Sequence, residues 1–145
     1  MTTSTTPKRF VGLAAFLLAC CLMFVACAQT LRFGPSDVVP AAKGQVSISR
    51  DKNNNYHMDL RVFHLADPGR LQPPRQLYIV WMESANNEVK NIGQLTTGNS
   101  MLSKTMKSVL HTVSAVKPSR IYITAEDDGS LQYPMGTNVL STSYN

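Results

Sequence analysis

Alternation of apolar and polar residues with a period of two, in short stretches separated by turn signals, most narrows what this chain can fold into. Met58, Leu60 and Val62 alternate with Asp59 and Arg61, and Val46 and Ile48 alternate with Ser47 and Ser49. Ile121, Ile123 and Ala125 alternate in the same way with Tyr122, Thr124 and Glu126. Successive side chains of a strand point to opposite faces, so each stretch reads as a strand, that of Met58, Leu60 and Val62 with one buried face. The polar run at residues 51–55 (DKNNN) is a hairpin turn by composition, and Asn86 with Asn87 and the stretch 97–99 (TGN) supply two more turns. Residues 76–84 (QLYIVWMES) are apolar on both faces, which predicts the central strand. Residues 89–95, with Gly93, form another strand, and 139–142 a last one. The prolines of 64–74 make that stretch a loop.

Residues 101–116 allow two readings. Leu102, Met106, Val109, Leu110 and Val113 have helical spacing, whereas Val109, His111 and Val113 also alternate with Leu110, Thr112 and Ser114. Short strands recurring every 8–12 residues suggest an all-β sandwich, in which a long helix is out of place. The expectation is therefore a single antiparallel β-sandwich, with 101–116 in strands.

All three cysteines sit in the first part of the 145-residue chain, at Cys20, Cys21 and Cys27. Residues 1–9 end in Lys8 and Arg9, and residues 10–27 are almost wholly apolar and uncharged. A basic segment followed by an apolar one is the pattern of an export signal. The apolar stretch is also close to the shortest length that spans a bilayer, so an uncleaved N-terminal helix anchor is the rival reading. Residues 24–27 (FVAC) resemble the lipobox of bacterial lipoproteins, in which a small residue precedes a cysteine that is lipidated and becomes the new N-terminus. Cleavage before Cys20 would leave an apolar tail, so Cys27 is the expected lipidation site. Residues 1–27 are then a lipoprotein-type signal peptide, 28–43 a flexible tether with two prolines and no period, and 44–145 the β-sandwich. The exported part carries no thiol that could mispair in an oxidising compartment.

The formal charge of +5 is diffuse: setting Lys8 and Arg9 aside from 14 basic residues leaves 12 against 9 acidic ones, a net of +3. A nucleic-acid surface concentrates Lys and Arg in a stripe, so nucleic acid is not an expected partner. Chemistry-bearing motifs fail in turn. The run from Asp51 begins like an EF-hand loop, but Tyr56 stands where glycine is needed and Val62 where glutamate is needed. Glu126, Asp127 and Asp128 could offer calcium only a weak site, since such sites want more oxygen ligands. His57 and His64 differ by an odd number, which on one strand puts them on opposite faces. No nucleophile motif or phosphate loop is present, so no catalytic, metal or cofactor site is expected.

Three segments carry a family resemblance: 77–82 (LYIVWM), 91–95 (NIGQL), and 121–129 (IYITAEDDG) followed by 133–136 (YPMG). In order and spacing they resemble the C-terminal extracytoplasmic domain of the anti-sigma-K factor family, over about residues 44–142. The resemblance implies a β-sandwich in which Trp81, Gly93, Glu126, Pro134 and Gly136 are structural motif residues. It names no reaction. Family members also carry a cytoplasmic helical module that grips the sigma factor, whereas only nine residues precede the apolar stretch here, so sigma-factor binding is not expected. The bland physical reading agrees: Trp81 in the core, Gly93 at a bulge or close backbone approach, and residues 126–129 as a turn.

The functional expectation is an exported, membrane-anchored envelope lipoprotein, with a sandwich that binds rather than catalyses and another envelope protein as candidate contact. By its resemblance to bacterial lipoproteins, in some of which an aspartate after the lipidated cysteine favours inner-membrane retention, Ala28 implies the outer membrane where the cell has one. The alternative is an extracytoplasmic sensory domain held by an uncleaved transmembrane helix and related to anti-sigma signalling.

Overall fold

The computed structural model describes residues 28–95 and 107–143. Eight strands make two antiparallel sheets: β1 (Gln29–Arg32), β2 (Lys43–Arg50), β3 (Tyr56–Phe63) and β6 (Lys107–Ser114) in that spatial order, and β5 (Val89–Leu95), β4 (Leu77–Ser84), β7 (Pro118–Glu126) and β8 (Thr137–Ser141) in the other. The fold is an all-β sandwich. The first sheet is one-sided, as its alternation requires. Val46, Ile48, Met58, Leu60 and Val62 point inward and are buried, while His57, Asp59 and Arg61 face water.

Residues 107–114 pair with β3 along its whole length, from Tyr56 opposite Ser114 to Phe63 opposite Lys107. Sheet pairing thus decides for the strand where periodicity alone was ambiguous; residues 101–106 and the turn at 97–99 lie outside the described residues. The β2–β3 turn is built by Asp51, whose Oδ1 accepts the backbone N–H groups of Asn53 and Asn55 at 2.8 and 2.9 Å, with Asn54 in the left-handed region at φ 66°. These bonds hold the Asp51 carboxyl down at about 2, the Asn55 N–H contributing most and His57 next.

The expected tether at 28–43 is corrected. Residues 29–32 form β1 against β2, and the irregular stretch that follows is folded onto the core, with Val39 and Ala42 buried. The Ser36 hydroxyl accepts the Val39 N–H at 2.9 Å, and the Ala42 N–H bonds the Val39 carbonyl at 2.8 Å. Phe33 bridges to Thr142, and the Gly34 N–H bonds the Ser141 carbonyl at 2.9 Å, stitching β1 to β8 across the sandwich. The folded unit therefore begins near residue 29, not 44.

The second sheet is apolar on both sides. Tyr78, Val80, Met82, Ile121, Ile123 and Ala125 join the core between the sheets, while Ile79, Trp81 and Tyr122 form a separate cluster on the outer face. An exposed patch of that size would be costly. The chain covers it with the β7–β8 connection, residues 127–136, whose Leu131 packs on the cluster. The loop before β4 contains a short 3₁₀ turn, Pro68–Arg70, and Ala66 in that loop accepts the hydroxyl of buried Tyr78 at 2.9 Å.

Candidate functional site

Trp81, Glu126, Pro134 and Gly136 converge on this covering loop. Trp81 at the centre of β4 is fully buried, and its indole N–H donates to Thr124 Oγ1 at 2.7 Å. The Thr124 hydroxyl donates to Glu126 Oε1 at 2.6 Å, and the same oxygen accepts the Met135 N–H at 3.1 Å. Thr124 and Glu126 are both 2 % exposed, so the chain indole–hydroxyl–carboxyl–backbone runs through a dry interior, where its members polarise one another. Glu126 is thus more than a turn carboxylate: it latches the returning loop to the outer face.

Gly136 follows for a steric reason. A Cβ there would lie 1.9 Å from the Ala125 carbonyl oxygen and 2.8 Å from Glu126 Oε2, so no larger residue closes the latch without moving backbone. Pro134, half-buried, leads into it with its φ fixed. Gly93 stands apart, as a bulge residue. The β4–β5 register shifts between Val80 and Trp81, Gly93 has φ 140°, and a Cβ on it would lie 2.9 Å from Leu110 Cδ1 on the opposite sheet. The bulge turns Asn91 towards the loop. Its Oδ1 accepts the Gly93 N–H at 3.1 Å, and its Nδ2 donates to the carbonyls of Gly129 and Leu131 at 3.2 and 3.1 Å. Asn91 was missed in the sequence. An amide two residues before a strand glycine is its signal, readable only once the bulge is known.

Between the start of β5 and this loop lies an open cleft of about 970 Å³, lined among others by Glu88, Lys90, Asn91, Ser130, Gln132 and Tyr133. Tyr133 is 71 % exposed, an aromatic residue beside amide, carboxylate and ammonium groups. The carboxylates nearby serve the scaffold instead of one shared ion. Asp127 accepts Arg75 Nη1 at 2.6 Å, and Asp128 Oδ1 accepts the N–H and hydroxyl of Ser130, both at 2.8 Å, which lowers the Asp128 pKa, the backbone N–H contributing most. Glu126 is buried in the latch.

The histidines fall elsewhere. β3 ends at Phe63, so His64 lies beyond the strand, at φ 56°. His57 and His111 share the outer face of the first sheet, each with its own carboxylate: His57 Nε2 meets Asp51 at 3.1 Å and His111 Nδ1 meets Asp59. Among the described residues, no cluster of three or more His, Cys, Asp or Glu groups is placed to hold a metal ion. Cys27 and the apolar stretch lie outside the described residues, among which no helix is long and apolar enough to cross a membrane. No protein-family model matches this chain, and no curated protein or solved structure matches it either.

Proposed function

We propose that this chain is an exported lipoprotein, anchored through acyl chains on Cys27, whose β-sandwich is a binding module of the cell envelope. The observation that carries the reading is the handover at residues 27–29. The apolar stretch stops at Cys27, and Gln29 already lies in β1. Cleavage before Cys27 removes the whole apolar stretch and leaves a folded domain directly on its anchor, whereas cleavage before Cys20 would leave residues 21–26 as an apolar stub. Each acyl chain contributes about 0.8 kcal/mol per buried methylene, so two or three chains hold the protein without a spanning helix. The binding role rests on the open polar cleft beside Tyr133, while the carboxylates of 126–128 are committed to holding the loop. The resemblance to the anti-sigma-K extracytoplasmic domain accords with a module that recognises and does not catalyse.

The test is Cys27→Ser in the native host. It is expected to block processing and lipidation, so the chain accumulates with its leader. Unchanged processing and membrane retention would favour the helix-anchored sensory domain.

A further inference from the structure

Register places a defined part of the molecule beside residue 27. Gln29 pairs with Ile48, Arg50 with Tyr56, Tyr56 with Ser114, and Ser84 with Pro118, so the turns 51–55, 85–88 and 115–117 all lie at the end of the sandwich where β1 begins. Two residues span at most about 7 Å, so the Cys27 backbone lies within that distance of Gln29. The opposite end is a strand length away, about 25 Å for eight residues.

The side chains at this end suit a membrane surface. Arg50, Lys52 and Lys117 are exposed, and the Arg50 guanidinium lies over the Tyr56 ring, 5.5 Å from its centroid. Gln29, Arg50, Tyr56 and Lys117 border a small notch of about 90 Å³. Val113, on the outer face of β6, and Val116, in the 115–117 turn, are 53 % and 47 % exposed at the same end. Asp51, in the turn on this half, is already engaged by the turn N–H groups and His57, and on the other sheet's half the Glu83 carboxylate lies 3.7 Å from Arg120 Nη1. Cations, an amphipathic ring and small apolar side chains together match the boundary between headgroups and acyl chains.

We propose that the Gln29 end is a headgroup-facing surface that seats the sandwich upright on a bilayer of anionic phospholipid, with Arg50 and Lys117 flanking a lipid phosphate at the notch. This rests on the membrane-anchored reading above. Each Lys or Arg near an anionic surface favours contact by about five-fold.

The mature protein purified from native membranes is reconstituted into vesicles of three parts phosphatidylcholine to one part phosphatidylglycerol, with the photo-crosslinker p-benzoylphenylalanine at position 116, or at 70 or 135 at the opposite end. Lipid adducts are expected at 116 at about five-fold or more over 70 and 135. The combined substitution Arg50→Gln, Lys52→Gln and Lys117→Gln is expected to bring the yield at 116 down to that on phosphatidylcholine alone, with Trp81 fluorescence unchanged. Equal yields at the three positions in vesicle-bound protein would overturn the proposal and leave the anchor standing. A chain that does not sediment with the vesicles would refute the anchor and the proposal with it.

Discussion

Thr124→Val isolates the latch, because valine keeps the shape of threonine and removes only the hydroxyl. Two bonds go: the 2.7 Å bond from the Trp81 indole and the 2.6 Å bond to Glu126 Oε1. The indole N–H is left in a fully buried site, a penalty of about 1–3 kcal/mol, while Glu126 keeps the Met135 N–H and loses about another 1 kcal/mol. The expected destabilisation is about 2–4 kcal/mol, a large share of the 5–15 kcal/mol typical of a domain but not enough to unfold it. With a urea m-value of about 2 kcal/mol/M, the unfolding midpoint should fall by about 1–2 M at unchanged m. Trp81, the only tryptophan, reports the transition by fluorescence from within the latch. Glu126→Gln retains an acceptor oxygen and should cost about half as much. A midpoint shift below about 0.25 M for Thr124→Val would show that the buried chain does not hold the loop, and the latch would have to be abandoned.

Gly136→Ala places a methyl against the Ala125 carbonyl and should cost about 1–3 kcal/mol, with faster proteolytic cutting within residues 127–135 than in the parent. The Asp51 carboxyl ionises more readily folded than unfolded, so its support of the β2–β3 turn is full above the ordinary value of 3.8 and is lost as pH falls through about 2; a carbon-detected NMR titration should show its midpoint near 2, and one near 3.8 would contradict the turn geometry. Burial, and secondarily the Asp67 carboxylate, pushes the Tyr78 phenol up from 10 to about 12, so its contribution is intact below pH 10 and lost as pH rises through 12. Phenolate absorbance should show one tyrosine ionising late, together with loosening of the loop at Ala66.

How far the sequence could be read depended on the scale of the interaction. β2 and β3 are long enough for alternation, and β4 for a doubly apolar run, to show which faces are buried, whereas β7 alternates and yet buries Tyr122, Thr124 and Glu126 as well, under a loop that its own period does not announce. β1 is four residues long, too short for a period to stand out, and its pairing with β2 is a tertiary fact that four residues do not encode. Val39 and Ala42 sit in an irregular stretch whose prolines read as linker, although a single serine hydroxyl and one backbone bond suffice to fold it inward. β6 carried helical and strand periods together, and pairing with β3, some fifty residues earlier, is a tertiary fact that neither period encodes. The same separation hid the Asp59–His111 pair. At the candidate site, Trp81 and the glycines could be assigned to structure from residue type alone, whereas the cleft joins residues 87–91 to 129–133 and exists only once the loop is latched.

The intact mass of the protein purified from native membranes bears most directly on the anchored-lipoprotein reading. The expected result is a chain beginning at Cys27 and carrying acyl groups, with the folded sandwich starting two residues beyond its lipid. A full-length, unacylated mass would contradict it and place the three cysteines in an uncleaved anchor.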